Sequence, residues 1–243
     1  MDSTYACQDD RARHVAAGER LAAVLVPAIK LIGAALLIAL ALRSFVVQPF
    51  AIPSGSMSPE LKAGDFVLVD KAAYGWNLAS LPLVRPVTVE NPDSTRRVLG
   101  KQVNAGDVVV FVAPDGRDYV KRVVASGGDR VSLHDGQLIL NGRRVDCVPA
   151  ENGLCREILP NGQSHLIRTG PGGPLSEYAE VVVPAGHYFV LGDNRNASAD
   201  SRLSRADGGV GMVADGQIFG KASRIFFSAQ DKVRWRRIGQ SID

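Results

Sequence analysis

From residue 66 onward the chain is written as short runs of Val, Ile, Leu and Phe separated by turn dipeptides. This punctuation favours a β-rich body over a helical one. Phe66-Val67-Leu68-Val69 follows Gly64-Asp65, and Val108-Val109-Val110-Phe111-Val112 follows Gly106-Asp107. The strand expected over 118–125 follows Pro114-Asp115-Gly116 and ends at Gly127-Gly128-Asp129. Two more strands, 131–133 and 138–140, flank Asp135-Gly136, and Asn141-Gly142 comes next; both dipeptides suit tight turns that need positive φ. Strands over 180–183 and 188–191 surround Pro184-Ala185-Gly186, and 217–227 closes the body. Two stretches break the pattern. Residues 75–106 hold Pro82, Pro86 and Pro92 and predict a long loop or hairpin excursion. Residues 146–178, rich in Gly, Pro, Asn and Ser, predict a second excursion with little core of its own. The fold class expected is mainly β, with an antiparallel sheet body.

Ahead of this body, residues 21–42 are apolar except for Lys30. A run of that length predicts one transmembrane helix across a hydrocarbon core of ~30 Å. Arg11, Arg13 and Arg20 precede it and only Arg43 follows closely, which puts the N-terminus in the cytoplasm and the body outside. The organisation expected is a cytoplasmic segment over 1–20, an anchor over 21–42 and an extracytoplasmic domain over 43–243. A cleavable signal peptide competes, because Ala39-Leu40-Ala41 resembles a cleavage site. That tripeptide lies inside the apolar run, however, and apolar Phe45-Val46-Val47 follows it, so a retained anchor is preferred. The formal net charge of +3 provides no basic field for nucleic acid. The tail, with Lys232, Arg234, Trp235, Arg236 and Arg237, reads as a solvated end or as a contact for lipid headgroups. Cys7 precedes the run. Cys147 and Cys155 follow it and are either a disulfide formed in an oxidising compartment or two small free hydrophobes.

The chemistry begins at Pro53-Ser54-Gly55-Ser56-Met57. Pro53 fixes φ and Gly55 permits a close backbone approach, so the turn can expose the Ser56 side chain and its N–H together. With the Ser54 hydroxyl, that N–H can stabilise a developing oxyanion. A serine hydroxyl needs a base. His14 is expected across the membrane, and His134, His165 and His187 lie near turns or in the second excursion, where surface or structural roles are expected. The sequence holds no H-E-x-x-H zinc pattern, G-x-S-x-G elbow or S-x-x-K box, which disfavours a metal site or a Ser-His-Asp triad. Lys121 interrupts the strand Asp118-Tyr119-Val120-Lys121-Arg122-Val123-Val124. Alternation puts Lys121 and Arg122 on opposite faces, so at least one of them points to a covered surface or site. A buried lysine titrates well below its usual ~10.4 and can act as a general base; arginine cannot. The alternative for Lys121 is a solvated strand residue. A third element is Gly192-Asp193-Asn194-Arg195-Asn196-Ala197-Ser198-Ala199-Asp200-Ser201-Arg202. There, Asp200 can pair with Arg202 or Arg195, and Ser198 can orient a lysine; otherwise the stretch is a polar turn.

Taken together these segments resemble type I signal peptidases, the membrane-anchored Ser/Lys leader peptidases. The blocks that carry the likeness run from Arg43-Ser44-Phe45 to Met57, then 64–75, 106–112, 118–131, 183–202 and 220–228. The resemblance implies Ser56 as nucleophile, Lys121 as general base and Ser54 as the oxyanion-hole hydroxyl. It implies Ser198 as the residue that orients the lysine, with Asp200 and Arg202 supporting the site. Phe50, Ile52, Pro53, Met57, Leu61, Tyr119 and Val120 match the family's substrate-facing positions, which form shallow pockets for small residues at −1 and −3 of a precursor. No metal or other cofactor is implied. The partners implied are secreted precursors bearing signal peptides and membrane lipid, at the outer face of a bacterial inner membrane. Asn196-Ala197, Gly127-Gly128 and the stretch 203–209 depart from the usual pattern without removing a proposed catalytic group. Two other readings remain. A self-cleaving Ser/Lys regulator would need a DNA-binding helix-turn-helix, which the sequence does not show. A non-enzymatic, membrane-anchored β-domain would leave Ser56 unreactive.

Overall fold

The computed structural model describes residues 23, 25–39, 46–75, 100–113, 115–170, 172–173 and 175–242. The segment expected over 1–20 and most of the excursion expected over 75–106 lie outside the described residues. The chain divides into two compact units, Met1–Arg43 and Ser44–Asp243.

In the first unit the described residues, 23 and 25–39, are helical. At ~1.5 Å per residue, 25–39 make roughly 22 Å of helix, short of the ~30 Å of a hydrocarbon core. Among the described residues no helix is long and apolar enough to cross a membrane. This corrects the transmembrane helix expected over 21–42, and with it the single-pass inner-membrane placement that depended on that helix. The apolar composition is real, and Leu31 and Leu37 are exposed. The described helix is shorter than the apolar run, because 21, 22, 24 and 40–42 fall outside the described residues.

The second unit is built from strands, numbered in chain order. They are β1 (Val47–Ala51), β2 (Asp65–Asp70), β3 (Val108–Val112), β4 (Asp118–Ser126), β5 (Arg130–His134), β6 (Gln137–Leu140) and β7 (Arg143–Arg144). There follow β8 (Asp146–Pro149), β9 (Cys155–Ile158), β10 (Ser164–Ile167), β11 (Tyr178–Val182), β12 (His187–Leu191), β13 (Val213–Ala214) and β14 (Ile218–Ser228). Seven of them form an antiparallel sheet in the order β1-β2-β14-β3-β4-β12-β13. A four-stranded sheet, β11-β5-β6-β7, and a three-stranded sheet, β10-β9-β8, complete the body. The antiparallel β body is therefore as expected.

The apolar pattern explains the layering. Every residue of β3 is buried: Val108, Val110 and Val112 enter one core cluster, while Val109 and Phe111 enter another on the opposite face. A strand covered on both sides needs an unbroken apolar run instead of alternation. In β2, by contrast, Val67 and Val69 are buried while Phe66, Leu68 and Asp70 are only partly so. A third cluster joins Val131, Leu133, Leu138 and Leu140 of the four-stranded sheet to Val124 of β4 and to Phe189 and Leu191 of β12. The turns behave as their residues dictate: Asp135 and Gly136 have φ of 50° and 76°, and Asn141 and Gly142 have 51° and 76°.

The segment 146–178, expected to be an excursion with little core, instead carries β8, β9 and β10. Cys147 on β8 and Cys155 on β9 are joined as a disulfide, with Cα atoms 5.6 Å apart. Sequence patterning missed these strands because their interior is partly polar: Glu157 and His165 are buried alongside Leu159 and Ile167. Leu138 is fully buried whereas Val148 is 51% exposed. Leu138→Ala is expected to lower unfolding free energy by about 2–5 kcal/mol and Val148→Ala by less than about 0.5 kcal/mol, as read from urea denaturation midpoints.

Candidate active site

The chain leaves β1 through Ile52 and Pro53 and returns to β2 at Asp65, pinned by the Ile52 N–H to the Asp65 carbonyl (2.8 Å) and the Gly64 N–H to the Ile52 carbonyl (2.9 Å). Between these points the loop is anchored by apolar burial: Ile52, Met57 and Leu61 are all buried in the core. With Met57 directed inward, Ser54 and Gly55 are left exposed and Ser56 half-buried. The Ser58 N–H bonds the Gly55 carbonyl at 3.0 Å and closes the turn.

Lys121 comes to this turn from β4. Its Nζ lies 2.9 Å from Ser56 Oγ, joining residues 65 apart in sequence. Lys121 is 3% exposed and Arg122 1%, so both adjacent cations are covered. Their solutions differ. Arg122 is satisfied by a bidentate pair with Asp193 (2.8 and 2.9 Å) and by the Gly106 carbonyl (2.7 Å). For Lys121 no carboxylate approaches within ion-pair distance among the described residues. Burial pulls its ammonium down from 10.5 to about 8; the more distant Asp200 and Asp193 oppose this, and Arg202 adds to it. The Ser54 hydroxyl sits 3.4 Å from Ser56 Oγ.

The loop 192–202 backs the turn. The Asn194 N–H donates to the Ser56 carbonyl at 3.0 Å, and Asn194 Nδ2 donates to the Gly55 carbonyl at 3.2 Å. Asp200 is fully buried; it accepts the Gly192 N–H at 3.1 Å and holds Arg202 through Nε (2.9 Å) and Nη2 (2.8 Å). Arg202 also caps the carbonyls of Arg195 and Leu175. Asp200 therefore pairs with Arg202, and Arg195 turns instead to Glu157. Ser198 is buried, but its Oγ has no hydrogen-bond partner among the described residues and makes no bond to Lys121. It packs against Gly192, which has no room for a side chain: a Cβ there would sit 2.5 Å from the Ser56 carbonyl oxygen and clash with Ser198.

A cleft of about 190 Å³ runs beside Ser56 and Lys121. Phe50, Ile52, Pro53, Met57, Tyr119 and Val120, the positions matched to the family's substrate-facing residues, line it. Leu61 does not; it is fully buried in the core beneath. Arg117 and Asp118 also line the cleft and were not anticipated. Their place immediately before Tyr119, with Asp118 opening β4, was the available signal. Asn194 was likewise missed as a partner of the serine turn, although it sits in the Gly192–Arg202 block. Of the histidines, His165 is buried on β10, with Nε2 3.3 Å from Glu157 Oε2. No group of three or more His, Cys, Asp or Glu arranged to hold a metal ion occurs among the described residues.

A paired serine and buried lysine beside an apolar cleft is the geometry on which comparison with known proteins can be judged. The family model described as signal peptidase, peptidase S26, matches residues 25–227. The chain belongs to this family. It is 39% identical over 212 residues to a signal peptidase I of Pseudomonas fluorescens, covering 79% of this chain and 69% of that one. A signal peptidase I of Pseudomonas aeruginosa is also 39% identical, over 81% of this chain and 70% of the relative. One from Rickettsia typhi is 31% identical, over 82% and 78%. A crystal structure of a signal peptidase I from Enterococcus faecalis V583 aligns at 26% identity over 51% of this chain and 98% of that one, with a TM-score of 0.33, a superposition too loose to bear on the fold. The chain is thus a peptidase by family. Gly192→Ala is expected to push the Ser56 carbonyl and Ser198 apart and to cut peptidase activity by about 100-fold, measured as kcat on a peptide substrate.

Proposed function

We propose that the chain is a signal peptidase I that removes N-terminal signal peptides from translocated precursors by a Ser/Lys dyad. The observation that carries this reading is the 2.9 Å approach of a buried lysine amine to Ser56 Oγ, with no carboxylate within ion-pair distance of that amine among the described residues. A lysine lowered to about 8 is neutral in a useful fraction near pH 7–8 and can accept the serine proton.

The steps follow. The precursor lies in the cleft as an extended strand. Ser56 Oγ attacks the carbonyl carbon of the −1 residue while its proton passes to Lys121 Nζ. The oxyanion is received by the Ser56 N–H and the Ser54 hydroxyl. Lys121 then gives the proton to the leaving amine as the peptide bond breaks, leaving an acyl-enzyme on Ser56. Neutral again, Lys121 takes a proton from water, the hydroxide adds to the ester, and Ser56 Oγ leaves carrying that proton. Ser198, Asp200 and Arg202 act from behind, by keeping the 192–202 loop seated against the turn.

Specificity for small residues at −1 and −3 follows from size. The cleft is smaller than the ~300–1,000 Å³ of sites that enclose drug-sized ligands. Its walls are Phe50, Ile52, Met57, Tyr119 and Val120, so large side chains are turned away by contact. Secreted precursors whose signal peptide ends in an A-x-A pattern are the substrates that suit it.

Ser56→Ala and Lys121→Ala are each expected to lower kcat by about 10³-fold or more on an A-x-A precursor. Full processing by either variant would sink the assignment. In the wild type, kcat/KM is expected to rise with pH through about 8 and then level, because protonated Lys121 cannot serve as base. A profile flat from pH 6 to 10 would remove Lys121 from that role.

A further inference from the structure

Five charged or titratable residues outside the Ser56–Lys121 pair are buried together between the three-stranded sheet and the 192–202 loop. Arg122, Asp193, His165, Glu157 and Arg195 are each no more than 3% exposed. Each guanidinium is paired with a carboxylate. Arg122 holds Asp193, and Arg195 forks onto Glu157, with Nη1 2.8 Å from Oε1 and a shorter contact from Nη2 to Oε2. His165 Nε2 lies between the two carboxylates, 3.3 Å from Glu157 and 4.0 Å from Asp193. Burial alone would raise the Glu157 carboxyl, but Arg195 and His165 outweigh it and bring it down to about 2. Burial in turn keeps His165 below its ordinary range. Two guanidinium groups thus face two carboxylates, with a neutral imidazole between them.

The proposed reaction uses none of these groups, yet the loop they grip is the one that touches the nucleophile. Glu157 stands on β9 and Arg195 follows Asn194 directly. Asn194 bonds the carbonyls of both Ser56 and Gly55. The backbone reinforces the link: the Arg168 N–H bonds the Asp193 carbonyl and the Arg195 N–H bonds the Arg168 carbonyl, each at 2.8 Å. The end of β10 and the start of the 192–202 loop are therefore stitched together, with the Glu157–Arg195 pair as the side-chain clamp beside the stitch. A buried bidentate pair fixes direction as well as distance, which a single hydrogen bond does not.

We propose that Glu157 is a positioning residue for Ser56. Through Arg195 and Asn194 it sets where the serine turn sits relative to Lys121, so the three-stranded sheet acts as a clamp on the nucleophile. This rests on the reading of Ser56 as nucleophile. Removing one member leaves a buried charge unpaired, whereas replacing both by apolar groups of similar volume is often tolerated. That contrast separates positioning from stability.

The test uses the full chain in two forms, Glu157→Gln and the double variant Glu157→Met with Arg195→Met. Each is assayed for kcat and KM on an A-x-A peptide, for Ser56 labelling by a serine-reactive lactam probe, and for near-UV circular dichroism. For folded Glu157→Gln, kcat is expected to fall by about 10–100-fold with KM within about threefold, since a misplacement near 1 Å carries a cost of that order. The double variant is expected to recover stability but not kcat. Wild-type kcat in either folded variant would overturn the proposal, as would failure of both to fold, which marks the pair as structural only. A wild-type chain that neither processes the peptide nor labels at Ser56 would instead refute the peptidase mechanism itself.

Discussion

The structure turns on keeping one amine out of water. An ammonium moved into a protein interior without a partner is strongly disfavoured and gives up its proton more readily. Lys121 is in this position because β4 is covered on both faces, and because Arg122 takes Asp193 and Arg202 takes Asp200. Were Asp193 to turn to the lysine, an ion pair would hold Lys121 in the charged form. The division of labour between two adjacent cations, one neutralised by pairing and one by burial, makes a base on a strand that would otherwise carry only structure.

Around that amine the fold brings three distant segments together. The β1–β2 loop presents Ser56 because Met57 and Leu61 are drawn into the core beneath it. β4 delivers the lysine. The 192–202 loop closes the rear through Asn194, with Gly192 leaving the space that a side chain would fill. None of the three is catalytic by itself, and each is held by burial or by fully paired charges rather than by exposed contacts. The serine turn is consequently ordered before any substrate arrives, and its orientation need not be established during binding.

Much of this was legible in the sequence, for physical reasons that can be named. The Val-rich runs of β3 and β4 and the Asp-Gly and Asn-Gly turns follow from local sterics and apolar burial, which a sequence displays directly. Lys121 was conspicuous as a lone lysine in a strand otherwise rich in Val, but that pattern left a solvated residue open, and the family resemblance is what joined it to Ser56. β1 was not anticipated as a strand, since Pro49 interrupts its only run of apolar residues; it tolerates the proline as the edge strand of the sheet. The strands β8–β10 were hidden because their interior is made of Glu157 and His165, polar residues buried only by virtue of Arg195 and Asp193 elsewhere in the chain. The bond expected from Ser198 to Lys121 is absent for a related reason: where a hydroxyl points depends on packing against Gly192, which no local pattern encodes. The apolar run over 21–42 led to a spanning helix on composition alone, whereas the helix described over 25–39 is too short to cross a bilayer.

The strand order carries a consequence for how the molecule comes into being. β14, close to the C-terminus, lies between β2 and β3 in the large sheet. The half that bears Ser56 and the half that bears Lys121 are therefore joined edge to edge only when β14, more than 90 residues beyond Lys121, slots between them. Non-local pairing of this kind is late and slow to form. Until residues 218–228 pair on both sides, the strand that follows Ser56 and the strands that lead to Lys121 share no edge in this sheet.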